Sequence, residues 1–257
     1  MPKAVLDGVG VLVTRPRQQA EGLVAALRAL GGRAVEFPVI EPRPRSEDEI
    51  SADVAMLARP DIAIFVSANA ARLGLDYAGP AKLAAIGPAT ASALEQAGRT
   101  VDIRSSRGYN SERLLETPEL QSVEGKVVRI IRGDGGRELL AKVLRGRGAT
   151  VEYLAVYSRE VPRYSEAEIN AITKLWLGGS IDVVTVMSVE TLVNLIDLLP
   201  RTCREALAST PLVTPATRVI KEAERRFPGI PTTLANGPQA GEIAEAIVAC
   251  VKSRTLQ

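Results

Sequence analysis

The chain contains no histidine in its 257 residues. That removes the commonest general base and the commonest metal ligand together. Its two cysteines, Cys203 and Cys250, stand far apart with no C-x-x-C spacing, which argues against a zinc site and against a disulfide framework. Both are expected as buried, inert thiols. Aromatic residues make up only 4% of the sequence, too few for base-stacking platforms, and a net charge of +2 is too mild for a nucleic-acid partner. No apolar run approaches the roughly 20 residues that a membrane span needs. Met1-Pro-Lys-Ala-Val-Leu-Asp7 lacks the apolar core of a secretory leader. Neither nucleic acid nor membrane is therefore expected as a partner, and a cytoplasmic location is.

What is present is the composition of an ordinary globular protein, 46% apolar and 24% charged, at a length comfortable for two domains. The stretch from Gly125 to Arg159 organises the rest. Val127, Val128, Ile130 and Ile131 form a β-branched strand, and Gly133, Gly135 and Gly136 punctuate a turn. Leu139, Leu140, Val143 and Leu144 then recur at helical spacing, Gly146 and Gly148 stop the helix, and Val151 to Val156 reads as a second strand. The same unit opens the chain: a strand at Val11-Leu-Val, a helix burying Leu23, Val24 and Leu27, a stop at Gly31-Gly32, and a strand at Val35-Glu-Phe37. Overlaid without a gap, Leu23 falls on Leu139 and Val35 on Val151. A repeated βαβ unit points to two similar α/β domains.

Three further strands follow each copy in the same style. Asp61–Val66, Lys82–Ile86 and Val101–Ile103 belong to one half, and Asp182–Met187, Pro211–Thr214 and Thr232–Ala235 to the other. Each strand runs into a polar or glycine-bearing junction: Thr14-Arg15, Ser67 with Asn69, Gly87 with Thr90, Arg132-Gly133, Ser188, and Thr214 with Thr217. In an open parallel sheet such junctions line the carboxyl edge, where ligands bind. Helix N-termini there favour anions, and Arg15, Arg17, Arg132, Arg137 and Arg218 at or near the turns can add forked carboxylate contacts. The bland reading is that the hydroxyls are ordinary caps and the arginines solvated. Nucleotide binding finds little support. Gly133-Asp-Gly-Gly-Arg-Glu138 starts like a dinucleotide fingerprint, but Glu138 takes the place of its third glycine, and no phosphate-loop motif occurs.

Taken in order, these pieces resemble the uroporphyrinogen-III synthase family over essentially the whole chain. The resemblance rests on Val13-Thr-Arg-Pro, Phe65-Val-Ser-Ala-Asn-Ala, Ala85-Ile-Gly-Pro-Ala-Thr-Ala, Arg132-Gly-x-x-Gly-Arg-Glu-Leu-Leu, Arg147-Gly-Ala-x-Val and Val156-Tyr-Ser-Arg159. Two places depart from the family pattern: Thr214-Pro-Ala-Thr-Arg stands where a Gly-x-x-Thr-Ala turn is usual, and Met187-Ser-Val-Glu-Thr replaces Ser-Pro-Ser/Asn-Gly.

The resemblance implies two flavodoxin-like parallel-sheet domains joined by a two-stranded β-ladder hinge, with the active-site cleft between them. One domain would be discontinuous, residues 1–36 and 166–257. The other would span 43–153, with 37–42 and 154–165 as ladder and linker. In that ladder Pro38–Glu41 would run antiparallel to Leu154–Tyr157.

The resemblance also implies a reaction without metal or cofactor. Linear hydroxymethylbilane is cyclised to uroporphyrinogen III with inversion of the last pyrrole ring and loss of water, the work of a lyase. Once the hydroxyl is protonated and leaves, the pyrrole's own electrons generate an azafulvene, and ring attack follows through a spiro intermediate. The enzyme chiefly grips carboxylates, folds the chain and helps water depart. Tyr157 matches the family's tyrosine after the central unit and is the expected proton donor. Its plain alternative is a packing residue with a satisfied hydroxyl. Arg15, Ser67, Asn69, Thr90, Arg132, Gly133, Arg137, Ser188, Thr214 and Thr217 are the expected substrate contacts. A transient hand-over from hydroxymethylbilane synthase and a monomeric state are expected too. Two other classes remain open: a non-catalytic, hinge-closing binder of a polycarboxylate or other small anion, and a glycosyl transferase of two facing nucleotide folds.

Overall fold

The computed structural model describes residues 4–106, 108–136 and 138–255, without the side chains of residues 254 and 255. The chain divides into two compact units, Met1–Glu41 with Glu160–Gln257, and Pro42–Arg159. The first unit begins with β1 (Gly10–Val13), α1 (Arg17–Ala29) and β2 (Arg33–Glu36). All four residues of β1 are buried, and α1 turns Ala20, Leu23, Val24 and Leu27 inward, one stripe at helical spacing.

In the second unit β3 (Glu41–Pro44) leads to α2 (Glu47–Ala55), opened by a capping box of Ser46 and Glu49. Then come β4 (Ile62–Phe65), α3 (Ala68–Gly74), β5 (Lys82–Ala85), α4 (Pro88–Gln96) and β6 (Ile103–Arg104). Two one-turn helices, α5 (Ser111–Leu114) and α6 (Pro118–Gln121), precede β7 (Val127–Gly133), α7 (Leu139–Gly146) and β8 (Thr150–Glu160). The chain re-enters the first unit through α8 (Glu166–Leu177), β9 (Val183–Thr185), α9 (Val189–Leu198), α10 (Arg201–Leu207), β10 (Leu212–Thr214), α11 (Thr217–Arg226), β11 (Thr232–Leu234) and α12 (Ala240–Thr255).

The first sheet runs β2-β1-β9-β10-β11, every pair parallel. Counted along the chain within the unit, that is the order 2-1-3-4-5 of flavodoxin-like sheets. The second runs β3-β8-β7-β4-β5-β6, parallel from β8 to β6. Its five parallel strands repeat the first order if β7-α7-β8 is counted first, although that unit comes last in the sequence. Alternate strand residues face opposite layers of helices. Phe65 and Ile131 pack in the same core as α3 and α4, whereas Ile64 and Ile130 pack with α5, α6 and α7.

Two features differ from the sequence reading. The repeat is offset by one residue from the gap-free overlay: Gly10 donates its N–H to Asp182, just before β9, as Val127 does to Asp61, just before β4, so Gly10 is equivalent to Val127. Leu23 therefore matches Leu140, and Leu27 matches Leu144, both buried. The eye-catching match of Val35-Glu-Phe to Val151-Glu-Tyr is a coincidence of letters that burial overrides. Finally, Leu154–Tyr157 belongs to the long β8 of the second sheet, and its neighbour β3 starts at Glu41 rather than Pro38. The reason is that Phe37 and Val39 are claimed by the first unit's core, where Phe37 stacks on Tyr164 with ring centroids 4.5 Å apart. The proline-rich Glu41–Pro44 is left to pair, as proline permits at an edge.

Candidate functional site

In a sheet of this order the ligand crevice opens beyond the carboxyl ends of the two strands where the order reverses. Those strands are β7 and β4 in the second unit and β1 and β9 in the first.

At the end of β7 the pairing with β8 slips. Arg132 is opposite Ala155 but Gly133 is opposite Tyr157, so Val156 is an extra residue in β8, a β-bulge. Leu154 faces the α3–α4 core. Simple alternation would send Val156 the same way and Tyr157 to the other face. The bulge instead brings Val156 and Tyr157 both onto the α3 side. The Tyr157 hydroxyl there lies 3.1 Å from Ser67 Oγ. Ser67 ends β4 and caps α3, its Oγ accepting the Ala70 N–H at 3.0 Å. Gly133 provides room for the ring: a Cβ at that position would lie 2.4 Å from Tyr157 Cε2 and 2.6 Å from Cζ, closer than real atoms approach. Ser67, Gly133 and Tyr157 are thus brought together at the switch point.

Arg132, one residue earlier, projects to the opposite face. It is only 7% exposed, and its Nε donates to the carbonyls of Gly135 at 2.9 Å and Gly133 at 3.3 Å. Its Nη1 reaches Glu138 Oε1 at 3.3 Å, and its guanidinium carbon lies 4.6 Å from the centroid of the Tyr153 ring. Tyr153 in turn donates its hydroxyl to Glu138 Oε2. That hydroxyl, and then Arg132, hold the Glu138 carboxyl below its usual range, while burial chiefly raises Tyr153. Arg132 fastens its own loop rather than reaching toward Tyr157. Beside it a cavity of about 200 Å³ is lined by Val66, Ile86, Ser111, Arg132, Gly135 and Leu140. Glu138 and Tyr153 were missed as partners of Arg132 in the sequence, where nothing marks a tie through a glycine turn. Arg137 lies outside the described residues.

The other expected contacts of this unit are placed as follows. Asn69 sits in the first turn of α3 and accepts from Arg72 at 3.2 Å. Thr90 is buried on α4, whose start at Gly87 carries no side-chain cap.

In the first unit Arg15 is the repeat equivalent of Arg132, five residues beyond Gly10 as Arg132 is beyond Val127. It too is buried, 8% exposed, with Nη2 2.6 Å from the Pro238 carbonyl and 2.9 Å from the Met187 sulfur. Its Nε has no hydrogen-bond partner, and burial pushes its guanidinium below arginine's usual range. Ser188 caps α9 in a reciprocal box with Thr191. Thr214 is buried and its Oγ1 accepts the Ala216 N–H, whereas Thr217 is exposed at the start of α11. Among the described residues no group of three or more His, Cys, Asp or Glu could hold a metal ion. No helix among them is long and apolar enough to cross a membrane.

Two α/β units, each with a parallel sheet of this strand order, define a class of open, doubly wound α/β proteins. The comparisons narrow the class. The family described as "Uroporphyrinogen-III synthase HemD" matches residues 21–232. The uroporphyrinogen-III synthase of Salmonella typhimurium is 37% identical over 207 residues, 77% of this chain and 82% of that protein. That of Escherichia coli is 34% identical over 206 residues, with the same coverage. Solved structures of the Helicobacter pylori and a mutant Thermus thermophilus protein of that name align over 94% and 95% of this chain and 99% of theirs. Their TM-scores are 0.63 and 0.55 at 12% and 21% identity, a likeness of fold. The chain belongs to the uroporphyrinogen-III synthase family.

Proposed function

We propose that the protein is a uroporphyrinogen-III synthase of tetrapyrrole and haem biosynthesis, cyclising hydroxymethylbilane with inversion of the last ring and loss of water. Family membership carries the reading. The Tyr157 hydroxyl at the carboxyl edge supplies it with a proton donor. Tyr157 gives its proton to the substrate's hydroxyl, whose C–O bond breaks with the electron pair leaving on oxygen as water. The pyrrole nitrogen's electrons compensate the carbon, giving the azafulvene that the far ring attacks through a spiro intermediate. The proton lost as the ring system rearomatises returns to the tyrosinate, so the cycle closes without a redox partner. The N-terminus of α4, which carries no side-chain cap, offers backbone N–H groups to a substrate carboxylate.

The reading includes a lyase reaction in the cytoplasm, a monomer, and a hand-over from hydroxymethylbilane synthase, because the free bilane closes spontaneously to isomer I. The test is to incubate enzymatically generated hydroxymethylbilane with the protein and separate the oxidised porphyrin isomers. Isomer III is expected in excess. Isomer I alone overturns the reading and leaves a non-catalytic anion binder in its place. Tyr157→Phe is expected to lower turnover by about two to four orders of magnitude; an unchanged rate removes Tyr157 from the chemistry.

A further inference from the structure

Three features converge on Tyr157: the bulge at Val156, the bare backbone of Gly133, and the hydroxyl of Ser67. From them we infer that Ser67 is the positioning residue of the Tyr157 hydroxyl, seated against Gly133, rather than a ligand of the substrate. This deepens the proposed function and rests on it for its chemical meaning.

The argument starts from hydrogen bookkeeping on Ser67. Its oxygen accepts the Ala70 N–H at 3.0 Å, which fixes the side chain across the first turn of α3. A serine hydroxyl has one hydrogen to give and a second lone pair. With the Tyr157 oxygen at 3.1 Å, that hydrogen is in place to be donated to it. The tyrosine's own hydrogen is then free to point at the leaving hydroxyl of the substrate. When the phenol loses its proton, the Ser67 hydrogen bond falls on a phenolate and becomes charge-assisted, shorter and stronger. An interaction that strengthens only as the proton moves raises turnover without tightening substrate binding.

The sheet supplies the aim. Were β8 to run through Val156 without the bulge, alternation would send Tyr157 to the face occupied by Tyr153 and away from Ser67. Gly133 sets how close the ring lies, because any side chain there would occupy the position of Tyr157 Cε2 and Cζ. Gly133 acts through the tyrosine as well.

A double-mutant cycle tests this, with turnover measured well below the melting temperature because Ser67→Ala also removes a helix cap. Ser67→Ala is expected to lower kcat about tenfold with KM within about twofold, and Ser67→Thr to restore most of the loss. In the Tyr157→Phe background the same substitution is expected to change kcat less than about twofold. Gly133→Ala is expected to follow the same pattern. An equal loss in both backgrounds, or a raised KM at constant kcat, overturns the assignment and makes Ser67 a substrate contact. A readout without substrate separates this from failure of the parent reading. In isotope-labelled protein the ring resonances of Tyr157, identified by their disappearance in Tyr157→Phe, are expected to shift in Ser67→Ala and in Gly133→Ala. If only isomer I forms but these resonances move, the parent reading fails and the seat stands. Resonances that stay put in both variants refute the seat whatever the isomer assay shows.

Discussion

Arg129 of β7 stands directly opposite Glu152 of β8, and their charged ends lie 3.4 Å apart in the interior of the second unit, with side chains 3% and 16% exposed. Arg129 also donates to the carbonyls of Tyr77 and Ala58, and Glu152 accepts the Ala58 N–H at 3.0 Å. The pair therefore pins the loop after α2 and the end of the short turn after α3. Removing only the acid leaves a buried guanidinium without its counter-charge. Glu152→Ala is expected to cost about 3 kcal/mol in urea unfolding, whereas replacing both residues by apolar ones of similar size recovers much of that loss. A double variant no better than the single one would show that the two loop carbonyls, and not the charge balance, make Arg129 necessary.

The one-residue offset of the repeat makes a second prediction. Leu140, not Leu139, is the equivalent of Leu23, and it is fully buried while Leu139 is half-buried. Leu140→Ala is expected to cost about 2–5 kcal/mol, and Leu139→Ala clearly less. Chemical unfolding of the two variants decides; equal costs would restore the gap-free overlay.

This offset illustrates what was legible in the chain and what was not. The β-branched strands, the glycine stops and the polar junctions are local signals, and they locate the parallel strands and the carboxyl edges that bear Ser67, Gly133 and Tyr157. The bulge at Val156 is not local: nothing in Leu154-Ala-Val-Tyr157 says which residue β7 will skip, because register is set by the packing of both strands. Arg15 and Arg132 read as carboxylate contacts from their place at a strand end, and that place says nothing of how buried they are. Their burial depends on carbonyls contributed by Pro238 and by the Gly135 turn, which spacing cannot reveal. The α10 helix was missed because Arg201–Leu207 has too few apolar positions to show a period.

Arg132 supports a third prediction that separates two roles. If it fastens its loop, Arg132→Ala lowers thermal stability by about 1–3 kcal/mol and speeds amide exchange over residues 133–138. Unchanged stability with weakened substrate binding would make it a direct ligand instead.

Alkali supplies the fourth. Tyr164 donates its hydroxyl to the Pro38 carbonyl at 2.7 Å and stacks on Phe37, and burial pushes its hydroxyl up to about 12. A phenol whose folded value exceeds its unfolded value binds its proton more tightly when folded. Its contribution to stability is whole below about pH 10 and is lost as pH rises toward 12. Tyr164 and, by its raised hydroxyl, Tyr153 are expected to ionise late by ultraviolet absorbance, and Tyr164→Phe to shrink that late phase and flatten the alkaline fall in stability. A Tyr164→Phe variant that titrates like the parent refutes it.

The placement of the βαβ motif at the start of one unit and the end of the other has a consequence for synthesis on the ribosome. In the second unit every strand of the sheet is supplied within one uninterrupted stretch, so it can complete itself as soon as β8 has emerged. The strand β1 is less fortunate. The Gly10 N–H waits for the carboxylate of Asp182, 172 residues downstream, and Val11 for its neighbour Val183. A nascent chain stalled at Arg159 would carry one finished lobe and, ahead of it, an apolar strand and helix with one flank still naked. Any chaperone dependence in making this protein should fall on those opening residues.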